Sequence, residues 1–121
     1  MSVVANLPFS KVRRVGSLVF LSGELPLGEA GAIPAGITAQ TDLTLHRIAA
    51  TLAGESLSLA DVVQATVHLR HAEDFAAFNA AYARHFTAPY PTRTTVVAAL
   101  ALPQADVEIT VTAAVPGVPG A

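Results

Sequence analysis

The chain has 121 residues, no cysteine, a net charge of −2, and 13% charged against 52% apolar residues. One domain of this length buries roughly two thirds of its unfolded surface, and without cysteine it has no disulfide, thiolate metal ligand or cysteine nucleophile. Seven Lys and Arg in all make no basic stripe for nucleic acid, and uncharged runs of about a dozen residues, broken by Pro or Gly, are too short for a membrane span.

Average soluble domains are nearer a quarter charged, so the apolar surplus points to an interface between copies of the chain. The N-terminus, MSVVANLPFSKVRR, lacks the basic-then-apolar order of a secretory signal. With the missing cysteines, this fits a cytoplasmic protein.

The segment VRRVGSLVFLSG (Val12 to Gly23) predicts a hairpin about Gly16-Ser17. The Gly- and Pro-rich run from Glu24 to Gly36 predicts a loop, with room for a short edge strand. From Ile37 to Ala53 the spacing changes. Ile37, Thr41, Leu45, Ile48 and Leu52 recur every three or four residues, which predicts an amphipathic helix stopped by Gly54. In ADVVQATVHLR, Val63, Ala65, Val67 and Leu69 alternate with Gln64, Thr66, His68 and Arg70, the pattern of a strand with one face buried.

Helical spacing returns from Glu73 to Phe86. Phe75, Phe78, Tyr82 and Phe86 form a core stripe, Glu73 and Asp74 suit the positive helix end, and Asn79 beside the stripe needs a partner. Arg93–Leu100 and Val107–Val115 predict two strands joined by a short Pro-containing turn, and residues 116–121 predict a frayed tail. The order ββ-loop-αβαββ, without repeat or linker, predicts one α+β domain over residues 1–121. It is a mixed sheet with both helices on one face. The second face carries Thr, Gln, His and Ala and should pack against copies of itself.

Few motifs carry chemistry. The glycines near Gly23, Gly28 and Gly31 spell neither a dinucleotide nor a phosphate loop. His68 and His71 lack the partners of a metal site. Ser22 in LSGE lacks the context of a nucleophile elbow. There remain Arg93, opening a strand after a rigid Tyr90-Pro91-Thr92 lead, and Glu108 in an otherwise uncharged strand. A guanidinium held there matches a carboxylate or phosphate in two-pronged fashion, or else snorkels from the sheet end or pairs with an acid. If the last two strands pair around residues 101–105, Glu108 stands about 10–16 Å along the ladder from Arg93. That is too far for an ion pair and leaves room for a small anion.

The segments SGELP (Ser22 to Pro26), QTDLTLHRI (Gln40 to Ile48), DVVQATVHL (Asp61 to Leu69), DFAAFNAAYARHF (Asp74 to Phe86), YPTRTTV (Tyr90 to Val96) and VEITVTA (Val107 to Ala113) follow in one order. As an ordered set they resemble the RidA/YjgF family, also called the L-PSP endoribonuclease or translation-inhibitor family. The resemblance implies a chorismate-mutase-like fold and a homotrimer with ligand clefts between subunits. It implies cofactor-independent hydrolysis of reactive enamines and imines, such as 2-aminoacrylate, to 2-keto acids and ammonia.

By that resemblance Arg93 holds the substrate carboxylate and Glu108 positions water. Asn79, Ser22 and Gly23 match further cleft positions, and backbone near Thr95 supports the anion. Three residues depart from the pattern: Phe9 where a tyrosine is common, Glu24 where Gln is usual, and Thr95 where Cys is frequent. An acid at Glu24 would repel anionic ligands if it faced the cleft. Two other readings stand beside the deaminase: a small-carboxylate binding or sensing module without turnover, and RNA cleavage, which the missing basic patch disfavours.

Overall fold

A computed structural model describes residues 7–117. The first hairpin forms as its sequence requires: β1 (Val12–Val15) and β2 (Leu18–Leu21) pair antiparallel, Val15 opposite Leu18. Gly16 takes a φ of 60° in the two-residue turn, a conformation that favours glycine. The Glu24–Gly36 segment forms no edge strand. It makes one bridge, Glu24 to Ile109, and a short 3-10 turn at Glu29–Gly31.

Helix α1 spans Ile37–Ala53 and buries Ile37, Leu45, Ile48 and Leu52 on one face. Gln40, buried with them, donates to the carbonyls of Pro34 and Gln104 and accepts from the Asp106 amide. The helix ends at Gly54 as expected, but the left-handed turn that closes it comes two residues later. Gly54 remains right-handed at φ −63°, and the left-handed residue is Ser56, at φ 61°. The amides of Ser56 and Leu57 donate to the carbonyls of Ala53 and Leu52, the paired closure of a Schellman motif.

Strand β3 (Val62–Leu69) buries Ala65, Val67 and Leu69, but Val62 takes the first inward position and Val63 is exposed. A register shift between Val62 and Gln64 displaces the alternation by one. Helix α2 is shorter than expected, Phe75–Ala83, preceded by a 3-10 turn at Ala72–Asp74. Beyond Ala83 the amides of Arg84 and His85 reach back only three residues, to Ala81 and Tyr82, which tightens the chain out of the helix. Phe78, Tyr82 and Phe86 are buried in the core, whereas Phe75 is 47% exposed.

The largest correction concerns the last two strands, β4 (Thr92–Val97) and β5 (Val107–Ala114), which are not neighbours. The sheet order is β1-β2-β5-β3-β4. Strand β4 runs parallel to β3, as a β-α-β crossover through α2 demands, and β5 pairs antiparallel with both β2 and β3.

Both helices pack on the face carrying Ala65, Val67, Ile109 and Val111. Asp42 of α1 links them, accepting from Arg84 at 2.9 and 3.1 Å and lying 2.7 Å from His85 Nε2. The His85 hydrogen bond, aided by Arg84's charge against the opposing effect of burial, holds the Asp42 carboxyl below its ordinary range. Among the described residues no helix covers the opposite sheet face. Phe20 and Val96 are 42% and 41% exposed on it.

Candidate functional site

Arg93 lies on β4 in register with the buried Ala65, so its side chain turns toward the helices. One guanidinium nitrogen donates to Asn79 Oδ1 at 2.7 Å. The guanidinium carbon lies 4.9, 5.2 and 5.9 Å from the ring centres of Tyr82, Phe78 and Phe75, within range of cation–π attraction. The helical stripe thus doubles as a cradle for the cation, and Asn79 has found its partner. Among the described residues Arg93 forms no ion pair. A neutral amide holds it, and its charge is left for an anion.

A cavity of about 450 Å³ opens beside it, walled by Asn79, Tyr82, Tyr90 and Pro91. Burial pushes the Tyr82 phenol up against the pull of Arg93's charge, and its buried hydroxyl has no partner among the described residues. Thr95 follows on the same face of β4, in register with Val67.

Glu108 belongs to the other face. On β5 it is the cross-strand partner of His68, away from the helices. Its carboxylate packs against Gly23: a β-carbon at Gly23 would fall 2.7 Å from Glu108 Oε2 and 3.1 Å from Thr110 Oγ1. Only glycine leaves the carboxylate where it is. Ser22 next door donates its hydroxyl to the Ser10 carbonyl at 2.6 Å, and its amide bonds the Lys11 carbonyl. These bonds tie the segment carrying Phe9 against β2. Phe9, Ser22, Gly23 and Glu108 therefore gather in one group, and Asn79, Arg93 and Thr95 in another.

Arg93 is aligned through Ala65 with Val111. Three residues along and two strands across, the backbones of Arg93 and Glu108 stand roughly 14 Å apart, with side chains on opposite faces. No small molecule touches both within one copy. The expectation that the two do not pair directly holds, although the hairpin geometry behind it does not.

Glu24 is not free to repel a ligand. Arg47 Nε donates to its carboxylate at 3.0 Å while Arg47 Nη1 bonds the Leu27 carbonyl at 2.7 Å. Arg47 and the ring cradle were not singled out from sequence. Residue 47 meets residue 24 only through the fold, whereas the aromatic spacing is visible in the sequence but is equally that of a core stripe. Among the described residues no group of three His, Asp or Glu side chains could hold a metal ion, and no helix is long and apolar enough to cross a membrane.

The comparisons with known proteins agree with one another. Residues 2–115 match the family model described as Endoribonuclease L-PSP. A RutC family protein of Haemophilus influenzae is 39% identical over 80 residues, 65% of this chain and 62% of that protein's length. TdcF of Escherichia coli K12, whose name provisionally describes a reactive intermediate deaminase, is 36% identical over 93 residues, 74% of this chain and 72% of its own.

Among solved structures, Escherichia coli TdcF with bound serine superposes with a TM-score of 0.82 at 32% identity, covering 88% of this chain and 87% of that one. RidA from the Antarctic bacterium Psychrobacter sp. PAMC 21119 gives a TM-score of 0.86 at 29% identity, covering 95% and 92%. The five-stranded mixed sheet with two helices is the α+β fold of these proteins.

Proposed function

We propose that this chain, which belongs to the Endoribonuclease L-PSP family of RidA/YjgF proteins, hydrolyses reactive 2-enamine and 2-imine acids to 2-keto acids and ammonia. The observation that carries the reading is an arginine paired with an amide instead of an acid, beside a cavity, while the glutamate stands on the opposite face of the sheet. Such halves become one site when a second copy brings its Glu108 to the first copy's Arg93. By the resemblance to the RidA/YjgF family that assembly is a homotrimer with its clefts between subunits, and the helix-free face supplies the contact.

In the cleft Arg93 grips the substrate carboxylate and fixes the imine carbon. Glu108 of the neighbouring copy orients a water molecule and takes its proton as the oxygen adds to that carbon. Glu108 passes that proton to the nitrogen to complete the carbinolamine, then carries the carbinolamine hydroxyl's proton to the same nitrogen as the carbon–nitrogen bond breaks, so that ammonia leaves, the 2-keto acid remains and Glu108 is again a carboxylate. Asn79 keeps the guanidinium in place, Ser22 keeps the Phe9 segment in place, and no cofactor takes part. The spontaneous reaction is already fast, so a barrier lowered by a few kcal/mol suffices, tenfold for each ~1.4 kcal/mol. The cytoplasm, where amino-acid metabolism releases such imines, is the proposed location.

The test generates 2-iminopropionate in place with an amino-acid oxidase and follows ammonia with and without the protein. Arg93→Ala removes a charge-assisted bond of about 1.5–3 kcal/mol, so kcat/KM falls roughly 10- to 150-fold. No acceleration by the natural chain, or full activity in Arg93→Ala, removes the mechanism.

A second reading is a sensor that binds small carboxylates without turnover, and the TdcF structure with bound serine favours keeping it. Keto-acid binding by calorimetry beside a null deaminase assay would select it. Endoribonuclease action has only the family's description behind it, and this chain's seven Lys and Arg make a poor electrostatic footprint for RNA.

A further inference from the structure

Glu108 has two flanks. In the sheet order β2, with Gly23 just beyond its end, lies on one side of β5, and β3 lies on the other. On the Gly23 side, Oε2 of the carboxylate is the atom that a β-carbon at Gly23 would meet first, and Gly23 also forms part of the wall of a cavity of about 420 Å³ shared with Phe9, Glu24 and Arg47. Oε1 is not among the three atoms nearest that carbon, so it is the oxygen turned away from Gly23, on the side of β3. There His68 stands directly opposite Glu108, with Val96 of β4 on its far side.

His68 is half-buried, and its Nδ1 is enclosed without a partner among the described residues. In the neutral ring one nitrogen carries the proton and the other accepts. A buried N–H left without an acceptor is rarer than a bare acceptor. This environment assigns the proton to Nε2, at the outer end of the ring. The neighbours on this face, Thr66, Thr94, Val96 and Thr110, carry no charge. The charges just past the strand ends, Arg70 and Asp106, face each other at 3.9 Å. The Nε2–H of His68 is therefore the polar hydrogen that β3 offers to Oε1.

Directly opposed residues hold their Cβ atoms about 4.5–5.5 Å apart, yet among the described residues no ion pair joins His68 to Glu108. One water spans a gap of that kind. We propose that His68 is a positioning residue for Glu108: its Nε2–H, through one water on Oε1, holds the carboxylate with Oε2 against Gly23 and the cavity. It acts through Glu108 and touches no substrate. The inference rests on the deaminase reading for its effect on rate, while the link between the two side chains is independent of turnover. Without the Nε2–H the carboxylate swings, which lowers kcat about tenfold and leaves KM within about twofold, because Arg93 sets carboxylate affinity. His68→Gln brings an amide N–H close to the place of Nε2 and holds kcat within about threefold of the natural chain.

The experiment has two arms on the full chain. In the first, ammonia release from oxidase-generated 2-iminopropionate gives kcat and KM for the natural chain, His68→Phe and His68→Gln, and urea melts check that each folds. A kcat loss of about fivefold or more in His68→Phe at unchanged KM, recovered in His68→Gln, supports the proposal. A smaller loss, a change in KM instead, or an equal loss in both variants overturns it and keeps the deaminase. In the second arm, nitrogen NMR spectra of the imidazoles read the tautomer, the His68 signals being identified among the four histidines by their loss in His68→Gln. A proton on Nε2 whose nitrogen signal moves in Glu108→Gln supports the link. A proton on Nδ1, or His68 signals indifferent to Glu108→Gln, overturns it even if His68→Phe does not fold. If no imine is turned over, the supporting spectra keep the link and retire the deaminase.

Discussion

Replacing Gly23 by alanine should separate catalysis from binding. The φ of Gly23 is not among the positive values, so the backbone accepts alanine, and the obstacle is space. The new β-carbon would meet Glu108 Oε2 at 2.7 Å and Cδ at 3.0 Å, against an ordinary contact of 3.4 Å or more. The carboxylate must retreat by roughly 0.7 Å, and a misplacement near 1 Å at a reacting group costs about 10²-fold in rate. The expected loss in kcat is therefore about 10- to 100-fold.

The Michaelis constant should change by less than about threefold, because Arg93 lies on the other face and sets carboxylate affinity. Stability should fall by only about 1 kcal/mol, since a side chain and not the backbone gives way. Ammonia release from 2-iminopropionate over a range of oxidase-supplied substrate yields both constants, and a urea melt supplies the stability. A variant with native stability and kcat within twofold of the natural chain would show that Glu108's position does not govern the chemistry.

Arg47→Met should leave the Glu24 carboxylate unpaired at the cavity and weaken 2-keto-acid binding about tenfold, and Glu24→Gln in the same chain should restore most of it, as isothermal titration of both variants can check. Ser56→Gly should stabilise the fold by roughly 0.5–1 kcal/mol, because only glycine holds the left-handed turn after α1 without strain; an unchanged urea midpoint would contradict this. Asp42 has a native pKa below its unfolded value of 3.8, so it contributes stability above that pH and loses it as pH falls through the depressed native value. Urea melts between pH 2 and 5 should show this acid limb flattened in Asp42→Asn, and identical limbs would remove Asp42 as its source.

Local pattern carried much of the fold. The 12–21 hairpin and the bounds of α1 follow from periodicity and from Gly16, signals contained within a few residues. The displaced alternation at Val62 and Val63 does not, because a bulge is a property of two strands together. Adjacency in sequence suggests that β4 and β5 pair, and the sheet order departs from it. A crossover through α2 had already committed β4 to the far side of β3. The same departure hid the opposition of faces between Arg93 and Glu108. For the site, residue types were visible but company was not. Nothing near Glu24 in the chain announces Arg47, and Asn79 became the holder of Arg93 only when α2 closed over β4.

The two borders of the sheet are unequal. β1 carries Arg13 and Arg14, charges that discourage a stray strand from docking alongside. β4 reads TRTTVV, its single charge is turned inward to Asn79, and Val96 and Val97 are 41% and 55% exposed. A chain separated from its companions would offer that bare Thr- and Val-rich rim to any passing chain. Refolding yield should therefore decline as protein concentration rises, and a lysine in place of Val97 should recover it without altering the core.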